Sequence, residues 1–258
     1  MYYPVQIPYI LNKEFSENIF YSEEIVEEFN DFAICFWMMQ PITECKLSVK
    51  NIIAADGCID LVVDFDKKEI GFAGMSKTNF DFVIELPARS MGIRMMPGAF
   101  HQLTGLFASE AMDGFLEIEK VFPEFEKNFF FQLSFEKAME YLKVFFADYV
   151  REKNPDVFTR LFDVLSQNTV ETTKGLYEVL HFSPRQCQRI FAKCYGITPK
   201  MVLSIVRFQK CLEILTSTNA KPIDILSIAN YYDQPHFIND FRRNMGITPL
   251  ELIKDYQG

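Results

Sequence analysis

A nine-residue segment near the end of this chain occurs twice. FAKCYGITP at 191–199 returns as FRRNMGITP at 241–249, with five of the nine positions identical at an offset of 50. Self-similarity at a fixed spacing marks one supersecondary unit used twice. The local chemistry says what that unit is. Upstream of the first copy, Ser183-Pro184-Arg185-Gln186 is a capping box, with serine at the N-cap, proline at the first helical position and glutamine three residues on. The spacing predicts a helix from Pro184 to Tyr195, ended by Gly196, the residue that takes a left-handed conformation at no steric cost. Thr198-Pro199 then starts a new helix. In the second copy Asp233 is the N-cap, Pro235 sits in the first turn, Gly246 is the stop and Thr248-Pro249 the restart.

The faces of the first predicted helix differ in kind. Cys187, Ile190, Phe191 and Cys194 follow the i, i+3, i+4, i+7 pattern of an inward stripe, while Arg185, Gln188, Arg189 and Ala192 line the opposite side. KGLYEVLHF (174–182) supplies a short helix and a tight turn just ahead. A helix, a turn and a second helix with an Arg/Gln-rich outer face make a helix-turn-helix. Its second helix suits the DNA major groove, where Arg grips guanine and Gln grips adenine with paired hydrogen bonds. A merely solvated face has the same composition in a single helix; repetition of the whole unit favours the reading role. Between the copies, PKMVLSIVRFQKCLEIL (199–215) reads as one helix of ~25 Å at 1.5 Å per residue. Such a strut suits two reading helices about one DNA turn, ~34 Å, apart.

These residues resemble the AraC/XylS-type transcription regulators, whose DNA-binding region holds two helix-turn-helix units joined by a long helix. The resemblance covers about residues 170–256 and rests on SPRQCQRIFAKCYGITP, RFQKCLEIL and YYDQPHFINDFRRNMGITP. It implies double-stranded DNA as partner, with RNA polymerase as a further one, and no cofactor. It places Arg185, Gln188 and Arg189 at base-facing positions of the first reading helix, and Gln234, Pro235, Ile238 and Asn239 at those of the second. Lys193, Arg242 and Arg243 suit phosphates, which position a protein without reading sequence. The chain departs from the family pattern at Asn230-Tyr231, where Gly-Phe is common, and at Asn239, where arginine is common. Asp240 and Asn244 also stand where the first copy has Ile190 and Cys194. The first unit is therefore expected to carry most of the base-specific energy.

Residues 1–165 read as a separate regulatory domain, strand-rich to about 125 and then helical, and SQNTVETT (166–173) as the linker to a DNA-binding domain over 170–258. The fold class is α+β: a strand-rich mixed N-terminal domain, then an all-α domain of two helix-turn-helix units joined by a long helix. Strands are predicted over 32–40, 46–54, 58–65, 69–75, 80–86 and 90–96, with Asp56-Gly57 as a hairpin turn. The pattern turns helical over 101–112 and clearly so over 134–152, where Phe135, Met139, Leu142, Phe146 and Tyr149 share a face. That face fits a homodimer contact as well as packing within the chain. ADGCIDLVVDF and GIRMMPGAF are similar to one class of AraC-type sensor domain, which implies an unidentified small-molecule effector. Arg89 and Arg94 are candidates to meet an anionic effector, or else to pair with carboxylates of this acidic domain; His101 reads as structural.

Charge bears on the DNA reading. Residues 1–170 hold 15 Lys/Arg and 27 Asp/Glu, a net −12, whereas residues 171–258 hold 11 and 8, a net +3, against −9 for the whole chain. A mildly basic end on an acidic body suits contact with phosphates through that end alone. The overall −9 favours a competing reading, a sensor or protein-interaction module whose repeats no longer bind DNA. Catalysis is not expected: no GxSxG, GxxxxGK[ST] or GxGxxG occurs. Cys35, Cys45 and Cys58 are too widely spaced for the cysteine-based repair site that some AraC-type proteins carry, and all six cysteines read as buried apolar residues. The isolated histidines give no metal site. The start MYYPVQIPYI is not a secretory signal, and the longest apolar run, 32–39, falls far short of the ~18 residues of a membrane span, so a cytoplasmic location is expected.

Overall fold

The computed structural model describes residues 1–257 except 7–12, 30, 45, 76–80, 168–169, 218–230 and 232. Helix α1 (Lys13–Asn18) leads into strands β1 (Ile19–Glu24), β2 (Ala33–Pro41), β3 (Leu47–Ile52), β4 (Ile59–Asp64), β5 (Glu69–Gly74), β6 (Asp81–Leu86) and β7 (Ser90–Met95). Helix α2 (Ala99–Thr104), strand β8 (Leu116–Glu117) and helices α3 (Ile118–Val121), α4 (Lys127–Phe130), α5 (Phe135–Val150) and α6 (Leu161–Gln167) complete the N-terminal part. The rest is helical: α7 (Thr173–Leu180), α8 (Pro184–Cys194), α9 (Pro199–Ser217), α10 (Gln234–Met245) and α11 (Pro249–Gln257). The fold is thus α+β in the order expected.

The strands form a six-stranded antiparallel sheet, β1-β2-β7-β4-β5-β8, and a two-stranded sheet, β3-β6. In β4 the burial alternates residue by residue, with Ile59, Leu61 and Val63 inside. The apolar side chains of one sheet face meet α5: Phe146 touches both Phe29 and Phe36 edge-on at 5.7 and 6.1 Å. The apolar stripe of α5 is therefore occupied by the chain's own sheet. Phe15, Ile19, Val49, Ile84 and Leu86 form a smaller cluster that joins α1 and the two-stranded sheet.

Two local expectations change. The segment 101–112 is a short helix ending at Thr104 and then a single 3-10 turn at Ala108–Glu110. Gly105, at a φ of 74°, caps the helix. Asp56-Gly57 does not close a hairpin, because its flanking strands pair elsewhere, β3 with β6 and β4 with β5 and β7. The Asp-Gly signal reports a left-handed backbone at Gly57, φ 78°, and not which strands it joins.

Candidate nucleic-acid interface

The first helix-turn-helix is α7 and α8. Thr172 caps α7 by accepting the Gly175 N–H at 3.1 Å, and His181, in the left-handed conformation, turns the chain. Ser183 and Gln186 then form the predicted reciprocal box: the Gln186 N–H donates to Ser183 Oγ at 3.3 Å, and the Ser183 N–H to Gln186 Oε1 at 2.9 Å. Cys187, Phe191 and Cys194 are buried, Ile190 half-buried, and Arg185, Gln188, Arg189 and Ala192 exposed. Gly196 has a φ of 68°, and a Cβ there would overlap the Met112 sulfur, so this stop is fixed both by backbone and by space.

Residues 218–230 and 232, Asn230 of the family departures among them, lie outside the described residues. The cap logic repeats. Asp233 accepts the His236 N–H at 2.8 Å, Gly246 ends α10 at a φ of 80°, and Thr248 restarts the chain by exchanging hydrogen bonds with Glu251, 3.3 Å to the Glu251 N–H and 2.6 Å from its own. Gln234, Pro235 and Asn239 are exposed and Ile238 half-buried, whereas Phe237 and Phe241 of the same helix are buried. Helix α9 spans 19 residues between the units.

The candidate phosphate ligands differ in setting. Arg242 and Arg243 are exposed at the end of α10, with Arg243 Nη1 3.8 Å from the Asp240 carboxyl. Lys193 is half-buried, its ammonium 5.4 Å from the centre of the Phe107 ring in the N-terminal part.

Both candidate effector arginines meet carboxylates. Arg89 bonds Asp66 at 2.5 Å through the guanidinium and at 2.8 Å through its backbone N–H. Arg94, buried, bonds Glu23 at 2.8 Å and lies 3.8 Å from Asp60 and 4.0 Å from Asp56. Tyr2 donates to the Asp56 carbonyl at 2.8 Å, the Gln6 amide donates to the Asp56 carboxyl, and the Trp37 indole N–H donates to Asp60 at 2.9 Å. Three carboxyls share one guanidinium out of water. Burial, only partly offset by Arg94, pushes Asp60 up to about 7 and raises Asp56. Burial also raises Glu23, but Arg94 with the Tyr21 and Tyr3 hydroxyls outweighs it, and Glu23 ends lowered. Nothing local in the sequence signals this cluster, because its members come from β1, β4, β7 and the segments before α1 and β4.

Among the described residues no group of three His, Cys, Asp or Glu could hold a metal ion, and no helix is long and apolar enough to cross a membrane. Five cysteines, all but the undescribed Cys45, are buried thiols. The His101 Nδ1–H donates to the Leu106 carbonyl at 2.6 Å, closing the turn after α2.

Residues 176–255 match the helix-turn-helix domain family of AraC type. Those residues thus form a helix-turn-helix domain of the kind that AraC/XylS-type regulators carry. Residues 27–117 match a domain of unknown function, DUF6597. The bifunctional transcriptional activator/DNA repair enzyme AdaA of Bacillus subtilis (strain 168) is 30% identical over 105 residues, covering 39% of this chain and 50% of AdaA. The chain thus spans half the length of that curated relative. ToxT from Vibrio cholerae aligns over 93% of this chain and 98% of its own at 11% identity and a TM-score of 0.43. The C-terminal domain of AraT, a response regulator from Geobacillus stearothermophilus, aligns over 37% of this chain and 81% of its own, with 24% identity and a TM-score of 0.34.

Proposed function

We propose that this AraC-type chain is a sequence-specific DNA-binding regulator of transcription whose helices α8 and α10 enter successive major grooves. The observation that carries this reading is the repeated build: each unit buries an apolar face and leaves a polar one in water, Arg185, Gln188 and Arg189 on α8 and Gln234 and Asn239 on α10. Arg and Gln present paired donors and acceptors to base edges, Asn239 suits adenine, and Ile238 suits a thymine methyl. Lys193, Arg242 and Arg243 then hold phosphates, with the net +3 of residues 171–258 as the long-range attraction. RNA polymerase is the further partner this role calls for.

The N-terminal domain, in this reading, senses an effector or joins two copies of the chain. An anionic effector at Arg89 or Arg94 has to exchange places with Asp66 or with the Glu23–Asp60 pair, since those carboxyls already occupy the guanidinium groups. The test is selection from random duplexes with the full chain, followed by footprinting. The expected result is a two-part motif protected over ~15–20 base pairs on one side of the duplex, weakening steeply with salt. A chain that enriches no motif at low salt does not have this function.

A further inference from the structure

The second reading helix is held differently from the first. At the position where α8 has half-buried Ile190, α10 has Asp240, whose side chain is 3% exposed. A carboxyl loses its hydration there and must recover it from protein partners. It does so from two directions. Ser204 on α9 donates to Oδ1 at 2.6 Å, Arg207 on α9 donates to Oδ2 from Nη2 at 3.0 Å and Nε at 3.3 Å, and Tyr231 donates to Oδ2 at 3.0 Å. The Arg207 guanidinium also lies 4.9 Å from the centre of the Tyr231 ring. One turn along α10, Asn244 stands in place of Cys194 and donates to Ser204 Oγ at 3.1 Å and to the Asp240 carbonyl at 2.7 Å.

We propose that Asp240 is a positioning residue for DNA reading: through Ser204 and Arg207 it fixes the rotation of α10 on the connecting helix, and so sets which base edges Gln234, Ile238 and Asn239 meet. This rests on the DNA-binding reading above. The physical ground is directionality. Apolar contacts such as those of Phe237 and Phe241 tolerate a small roll or slide of a helix at little cost, whereas a buried carboxyl with donors on two of its oxygens does not. Asn239 and Asp240 are sequence neighbours about 100° apart around the helix axis, one exposed and one buried. A roll that relaxes the carboxyl therefore displaces the reading edge directly. The apolar alternative at this position, as Ile190 shows in the first unit, is available to the same fold and was not used, which assigns the polar network a role other than packing.

The experiment is random-duplex selection with the full chain, scored base by base, for wild type, Asp240→Asn and Ser204→Ala. Each variant's melting is followed alongside. Asp240→Asn keeps the shape but gives Arg207 a neutral partner; Ser204→Ala removes one donor and leaves the ion pair in place. The expected result is that preferences in the half-site of α8 stay as in wild type while those in the half-site of α10 drop by about tenfold or more, on the order of a coupled buried pair. Arg207→Lys with Asp240→Asn should lose no more than the worse single variant. If wild type selects a two-part motif and Ser204→Ala and a folded Asp240→Asn read both halves unchanged, or lose both halves equally, the positioning role is wrong. If wild type selects nothing, it is the DNA-binding reading that has failed.

Discussion

Arg189 and Asp60 show how differently single residues report on function. The exposure of Arg189 is legible from its place in the chain: four residues after Arg185, opposite the buried stripe, on a helix whose cap and stop are both local. Replacing it with alanine should cost ~1–3 kcal/mol of binding and relax preference at one base position in the α8 half-site, as measured by titration against single-base variants. Equal weakening on every sequence would instead make it a phosphate contact. Asp60 was not legible, since its value depends on Glu23, Asp56 and Arg94 arriving from other strands. Its pKa, raised from the ordinary 3.8 to about 7, means the folded chain binds that proton more tightly than the unfolded one. The stability this contributes is full below about pH 4 and is lost as pH rises through about 7. Wild type should therefore lose thermal stability between pH 5 and pH 8 relative to Asp60→Asn, whose amide replaces the protonated acid and still accepts from Trp37. A difference that stays flat across that range would assign the proton to another group.

Among elements, the ones read correctly are those whose start and stop are written in adjacent residues. The predicted 184–195 helix is α8, Pro184–Cys194; 134–152 is α5, Phe135–Val150; 199–215 is α9, Pro199–Ser217. Six predicted strands fall within a residue or two of β2 to β7. The misses have a common cause. Strand β1, IFYSEE, lacks apolar alternation because Tyr21 and Glu23 turn toward the Arg94 cluster, and β8 is only two residues long. Sheet order escapes sequence reading for the same reason, because β7 lies between β2 and β4 through contacts that leave no local period. Where the signal is local, so is the energy. Ser183→Ala removes the acceptor for the Gln186 N–H in the exposed first turn of α8 and should cost about 0.5–2 kcal/mol, by analogy with other N-caps. Chemical denaturation should show that loss, and Ser183→Asp should restore most of it, since aspartate caps as well and favours a helix N-terminus. A variant as stable as wild type would mean that α8 is held by its buried face alone.

Across the whole molecule, the two helix-turn-helix units are joined to the N-terminal part in different ways. The first shares its apolar core: Phe191 and Phe182 meet Phe158, and Tyr195 meets Phe162, in one continuous cluster with the sheet. The second has its own cluster around Phe208, Phe237 and Phe241, into which, among the described residues of the N-terminal part, Val5, Ile52 and Ala54 reach. Hydrogen bonds through one side chain and one backbone pair add to that contact. Gln209 on α9, 4% exposed, accepts the Val5 N–H at 2.7 Å and donates to the Ala55 carbonyl at 2.8 Å, while the Ala55 N–H donates to the Asn244 carbonyl at 2.8 Å. The next residue is Asp56 of the Arg94 cluster, so one peptide and one hydrogen bond separate the buried carboxyls from α10. Gln209→Ala strips partners from two backbone groups at once, each costing on the order of 1–3 kcal/mol if left dry. Hydrogen exchange should then quicken at the Val5 and Ala55 amides and across α10 while α8 stays protected, because α8 is anchored by the shared core. Uniform loss of protection through both units would mean that they unfold together, and that Gln209 is not a separate tie between the N-terminal part and the second unit.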